Sequence, residues 1–300
     1  DSRVEVVTGV AIVLSYLGWV SAQITALGLV FNVLSDGQIT QAQGIMIGAT
    51  VVLMYTLYGG MWSVALTTFF QMIVIVLGLL YIVWLVSDLT GGVAPVIEHA
   101  AANEKFHFWP ELNTVALIAF ISGIITMGFG SIPQQDVFQR ANASKNENIA
   151  VWGTVLGGVA YFMFAAVPMF LAYSANLIDP DLAARWLAED SQKLLPELVR
   201  NHLPLFAQVI FYGALLSVIM STASGTLLAP SVTLSENVLK RFFTHRKHLS
   251  DAQLLKMTRW VVGVFAVCVT LYALWALGEE TGIHQMVENA YKVTLVVAFV

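Results

Sequence analysis

Apolar residues in this chain run in long blocks separated by polar connectors. The blocks fall at about 6–34, 41–59, 64–87, 113–135, 149–175, 204–240, 257–278 and 286 to the end, each close to the roughly 20 residues with which an α-helix crosses a bilayer. The pattern predicts about eight transmembrane helices, the last one cut short. The second and third blocks adjoin. One helix through both would far exceed the membrane, so the pair Gly59-Gly60 is read as the break between them. The sixth block is also too long to lie wholly at membrane depth, and its Lys240 end is expected in water.

Two connectors are long, Ser87 to Leu112 and Asn176 to Leu203. The second contains Asp181-Leu-Ala-Ala-Arg-Trp-Leu-Ala and Leu194 to Val199, which read either as short amphipathic helices capping the outer surface or as a plain solvated loop. The fourth block carries Met127-Gly-Phe-Gly-Ser-Ile-Pro-Gln-Gln135. Two glycines and a proline weaken the helix and remove a backbone donor, so an unwound or kinked stretch is expected from Gly128 to Pro133. Irregular backbone at that depth must line a cavity or pack in protein. A discontinuous helix near mid-bilayer is also how secondary transporters build substrate sites.

Composition agrees with the block pattern. Hydrophobic residues make up 58% of the 300 and charged residues 11%, against roughly 45–50% and about 25% in soluble domains. The class is an all-α polytopic membrane protein, and nothing suggests nucleic acid as a partner. With alternating connectors, Arg3, Arg140, Lys145 and the cluster from Lys240 to Arg259 collect nine of the fourteen basic residues on one side. That side is expected to be cytoplasmic. Trp84, Trp109 and Trp260 read as interface anchors. The single cysteine, Cys268, and six scattered histidines offer neither a disulfide framework nor a catalytic metal set, so no cofactor and no enzymatic chemistry are expected. A first residue Asp1 and an end inside an apolar run at Val300 suggest a piece of a longer polypeptide.

Candidate chemistry centres on Ser217-Val-Ile-Met-Ser-Thr-Ala-Ser-Gly-Thr226, hydroxyls embedded in an apolar block. Ser217, Ser221, Ser224, Ser231 and Ser235 share one helical face. Such a face either packs closely on a neighbouring helix or ligates a hard monovalent cation through adjacent hydroxyls, here Ser221 and Thr222. Asp136 and Arg140 stand at i and i+4, either an ion pair closing the inner side of a cavity or an interfacial pair of little weight. Gln23 and Thr25 in the first block either face the cavity or, as the ordinary reading has it, form helix-to-helix hydrogen bonds.

Three segments together carry a resemblance. Tyr55-Thr-Leu-Tyr-Gly-Gly-Met-Trp-Ser-Val-Ala-Leu-Thr-Thr-Phe-Phe-Gln71, Gly130-Ser-Ile-Pro-Gln-Gln-Asp-Val-Phe-Gln-Arg140 and Ile219-Met-Ser-Thr-Ala-Ser-Gly-Thr-Leu-Leu228 resemble successive signatures of the sodium:solute symporter family. That family includes proline, pantothenate, choline and sugar carriers. The resemblance covers nearly the whole chain and implies a LeuT-type inverted-repeat fold of two five-helix sets. Residues 1–300 would form one partial transporter domain holding core helices three to nine and the start of ten. It further implies a sodium site made by the Ser221 and Thr222 hydroxyls with the Val218 carbonyl, completed by a first core helix absent from this sequence. Substrate contacts implied are Met127, Gly128, Ser131 and Gln134 on the broken helix and Tyr291 on the tenth core helix.

Two positions depart from the family pattern. A Thr-Asp pair usually precedes the glutamine at 71, whereas this chain has Thr67-Thr68, so the carboxylate of the inner ion path is replaced by Thr68. Pro230 stands where small residues are usual and is expected to kink its helix. The implied function is sodium-coupled import of a small organic solute, proline-, choline- or pantothenate-like, by alternating access in the cell membrane (the inner membrane in a Gram-negative cell). Its partners would be that solute, Na+ and the bilayer. The alternatives are a symporter-like sensor module of a membrane histidine kinase and a proton-coupled or uncoupled carrier of the same fold.

Overall fold

The computed structural model describes residues 2–240, 250–279 and 281–299, and every regular element among them is helical. In chain order they are α1 (Ser2–Leu34), α2 (Gln41–Leu89), α3 (Val93–Ala102), α4 (Thr114–Gly130), α5 (Gln135–Asn142), α6 (Glu147–Phe164), α7 (Ala166–Ile178), α8 (Pro180–Glu189) and α9 (Leu194–His202). There follow α10 (Leu205–Thr233), extended by a π-wound stretch Leu234–Leu239, α11 (Asp251–Gly278), and α12 (Ile283–Val293) with its own π-wound continuation Thr294–Phe299. Six stretches among the described residues are long and apolar enough to cross a membrane. One of them, α2, is two helices in series, because Gly60 has φ 56° and ψ −167° inside it. That backbone is open almost exclusively to glycine, so the break falls where the glycine pair places it. The eighth expected span corresponds to α12, which is shorter than these. The basic residues Arg241, Arg246 and Lys247 lie outside the described residues.

The chain forms two compact units. The first comprises Asp1–Thr68, Leu112–Ala143 and Ile219–Val300. Its core is α1, packed on α12 and α11 through Ala22, Ala276 and Met286, all fully buried. Close approach rests on small residues, as expected where lipid removes most of the hydrophobic drive between helices. A Cβ on Gly44 would lie 2.8 Å from the Gly28 carbonyl oxygen, and one on Gly48 would lie 2.8 Å from Leu27 Cβ, so α1 and the first arm of α2 nearly touch. Ser21 Oγ donates across to the Val269 carbonyl at 2.9 Å. The helix-to-helix bond expected of Thr25 is therefore made by Ser21, while Thr25 Oγ1 is buried without a partner among the described residues.

The second unit comprises Phe69–Glu111 and Ser144–Val218. Its α2 arm crosses α10 at Gly78, where a Cβ would meet Ile210 at 3.0 Å. The connector 87–112 contains a helix, α3, which buries Val96 and Ala100. The two amphipathic segments in 176–203 are α8 and α9. Their apolar faces close over the end of α7 around Ala175, Ala183, Leu194 and Leu198, which makes them a packed cap and not a solvated loop.

Asp179 holds the cap at its hinge. Its carboxylate accepts the Leu182 N–H at 3.0 Å, capping α8, and bonds His202 Nε2 at 2.9 Å. The Leu182 bond first, and His202 second, hold the Asp179 carboxyl below its ordinary value of 3.8. A depressed carboxyl contributes stability above its unfolded pKa and loses it as pH falls through the folded one. Amide protection factors over residues 180–202 should therefore be insensitive to this group at neutral pH and fall in acid below about pH 4. Asp179→Asn should flatten that acid dependence, and an unchanged acid limb in the variant would refute the assignment.

Candidate ion and solute site

The helix carrying the hydroxyl face, α10, runs unbroken through Pro230 to Thr233 and then widens into π-winding at Leu234–Leu239. Pro230 thus lies inside the helix and does not end it. Gln139 Nε2 and Thr233 Oγ1 both donate to the Ala229 carbonyl beside the proline, at 3.3 and 3.1 Å.

From Ser221 onward the hydroxyls divide into two kinds. Ser224, Thr226, Ser231, Thr233 and Ser235 each donate to a carbonyl three or four residues back in their own helix, at 2.7–3.1 Å, the usual resting state of Ser and Thr inside a helix. Ser221 and Thr222 do not. Ser221 Oγ lies 3.0 Å from Thr68 Oγ1, 153 positions away in sequence, and Thr222 makes no side-chain hydrogen bond among the described residues. Ser221 and Thr222 are thus two adjacent hydroxyls whose protons are not directed back along their own helix, with the Val218 carbonyl one turn earlier on the same helix. Thr68, the residue in place of a carboxylate, is brought directly onto Ser221.

The broken helix is also present. α4 ends at Gly130, residues 131–134 turn, and α5 resumes at Gln135 after an extended Gln134 with φ −72° and ψ 109°. Pro133 has no N–H and restricts Ile132, which explains the end of α4. The break begins at Ser131, so Gly128 remains helical. Gly130 is the pivot, since a Cβ there would lie 2.5 Å from the Tyr291 carbonyl oxygen. On the other side of the turn Gln134 Nε2 donates to Tyr291 Oη at 3.0 Å.

Gln134 and Tyr291 therefore come together, in a small cavity lined also by Ser15, Tyr16, Trp19, Ala290 and Thr294. Met127, Gly128 and Ser131 do not join them. Met127 is 39% exposed, a Cβ on Gly128 would touch nothing within 4 Å, and Ser131 Oγ turns back to the Gly128 carbonyl at 2.8 Å.

Trp19 is the residue that sequence reasoning missed. Its ring packs 5.1 Å from that of Tyr291, tilted by 42°, and its indole N–H is buried without a partner among the described residues. A buried unmatched donor beside a cavity is the kind of group a solute oxygen satisfies. The available signal was weak: Tyr16 and Trp19 lie three residues apart in a block where aromatics also serve as packing.

Below the cavity, α5 is fastened to α1 and α10. Tyr16 Oη donates to Asp136 Oδ1 at 2.5 Å and accepts the Asp136 N–H at 3.2 Å. Asp136 pairs with Arg140 at 3.9 Å, and Gly225 leaves room for the guanidinium, since a Cβ there would lie 2.8 Å from a terminal nitrogen. The i, i+4 pair is therefore part of a contact among three helices.

Residues 2–299 match the sequence model of the sodium:solute symporter family. This chain belongs to that family. Among curated proteins it is similar to the human high affinity choline transporter 1, with 27% identity over 288 residues, 87% of this chain and 47% of that protein. It is also similar to the osmoregulated proline transporter OpuE of Bacillus subtilis, 26% identical over 245 residues, 77% of this chain and 46% of that one. The chain spans about half the length of the curated relatives it matches. Its fold is that of a solved Na+-coupled sialic acid symporter in a substrate-bound outward-open state, with a TM-score of 0.74 at 19% identity, over 100% of this chain and 64% of that one. The LeuT-type architecture implied by the three signatures is thus the architecture observed.

Proposed function

We propose that the protein carries a small organic solute inward together with Na+ by alternating access, as a multi-pass protein of the cell membrane. The observation that supports this most directly is the division of hydroxyls on α10. Among the described hydroxyls of α10, Ser221 and Thr222, the adjacent pair the family signature marks, share with Ser217 the lack of a bond to their own helix, whereas Ser224 and Thr226 make one. Two hydroxyls and a carbonyl are hard oxygen donors suited to a monovalent cation, and a first core helix would complete the shell. Sodium then favours whichever conformation brings that helix to α10, and its differential affinity for the two states is the coupling energy. Each charge moved inward adds about 2.3 kcal/mol of drive per 100 mV.

For the solute, we assign Gln134, Tyr291 and Trp19 to one wall, with Met127, Gly128 and Ser131, which stand apart from that cavity here, as further contacts. An aromatic pair suits an ammonium group, and the unmatched indole N–H suits a hydroxyl or carboxylate oxygen, a combination met by choline-like and proline-like solutes. The names of the two relatives lie in the same range. The test is uptake of radiolabelled choline, proline and pantothenate into vesicles holding the full-length protein, with and without an inward sodium gradient. Sodium-dependent accumulation of one of them is expected. Uptake indifferent to sodium would refute the coupling and leave an uncoupled or proton-driven carrier, and no uptake of any solute would favour the sensor reading.

A further inference from the structure

Near the N-terminal end of α11, Lys256, Arg259, Trp260 and Gly263 recur at intervals of three, one and three, which places them on one side of the helix. Together with Leu57 and Tyr58, at the end of the first α2 arm, they line a cleft of about 480 Å³ within the first unit. Gly263 keeps the floor of the cleft open, since even a Cβ there would touch nothing within 4 Å. By the positive-inside count, both helix ends face the cytoplasm. Tyr58 is 88% exposed and Trp260 70% exposed, and neither Lys256 nor Arg259 has an ion-pair partner among the described residues.

We propose that this cleft binds the headgroup of an anionic phospholipid of the cytoplasmic leaflet, its phosphate held by Lys256 and Arg259 and its upper acyl region lying on Trp260, Tyr58 and Leu57. Three features select a lipid over a soluble anion. Two cations converge on a cleft with no carboxylate in its lining, its remaining walls are aromatic and aliphatic, and it opens where interface aromatics and basic residues meet headgroups. A bound headgroup would tie the cytoplasmic end of α11 to the end of the α2 arm just before the Gly60 break. The proposal rests on the orientation of the chain and not on sodium coupling, so it can fail while that reading stands.

The experiment is native mass spectrometry of the full-length protein released from nanodiscs of phosphatidylglycerol mixed with phosphatidylcholine. Wild-type protein should retain phosphatidylglycerol in preference, and the double variant Lys256→Gln, Arg259→Gln should lose that preference by about tenfold. Lys145→Gln, outside the cleft, should keep it. Both replaced side chains are exposed, and a wild-type thermal midpoint in phosphatidylcholine alone checks that the double variant is folded. Equal retention by wild type and double variant would overturn the proposal. So would displacement of the lipid by inorganic phosphate alone, which would mark a plain anion site.

Discussion

Ser221→Ala is expected to raise the sodium concentration for half-maximal uptake by about tenfold, equivalent to about 1.4 kcal/mol, with Thr222→Ala acting in the same direction. The size follows from removing one oxygen that interacts with a charge, worth roughly 1.5–3 kcal/mol when the partner is ionised. Solute affinity at saturating sodium should change little, because neither hydroxyl lines the Gln134 and Tyr291 cavity. Ser224→Ala and Ser231→Ala are the controls. Their hydroxyls already donate to the Ser221 and Leu227 carbonyls, so the sodium dependence of both should stay near wild type. Sodium titrations of initial uptake rates separate the cases. If all four variants behave alike, the hydroxyl face is a packing surface and the ion lies elsewhere.

Gly130→Ala should abolish most transport and lower stability by about 1–3 kcal/mol, the usual range for overpacking. The added methyl would sit 2.5 Å from a backbone oxygen of Tyr291, and a backbone atom cannot swing aside as a side chain can. Either α4 or α12 must retreat, separating Gln134 from the Tyr291 hydroxyl. Gly128→Ala, two residues earlier and open on the same test, should leave stability unchanged. Thermal unfolding in detergent, read beside solute uptake, checks both. A Gly130→Ala protein as stable and active as wild type would show that the close approach to α12 has no role.

Gly128 and Gly130 also mark how much of this protein can be read from its residues in order. Glycine pairs and a proline at membrane depth told where helices end, because backbone limits are local: Gly60 adopts a φ of 56° that other residues resist, and Pro133 cannot continue α4. Which glycine is tightly packed was not legible. Gly128 and Gly130 look alike in sequence, and only the position of α12 distinguishes them. The same limit explains α3, since a ten-residue helix in a polar connector gives little periodic signal until Val96 and Ala100 have something to pack against.

Membrane class, the long apolar spans and family were legible from the order of residues, since block length, block hydropathy and three linear signatures need no partner to be recognised. So was the hydroxyl pair that stands out on α10. Which hydroxyls remain available depended on how the helices pack, which brings Thr68 onto Ser221 and leaves Ser224, Ser231 and Ser235 to their own backbone. Packing alone put Trp19 beside Tyr291, because a contact between residues so far apart along the chain is set by how helices cross, and no local pattern encodes the crossing.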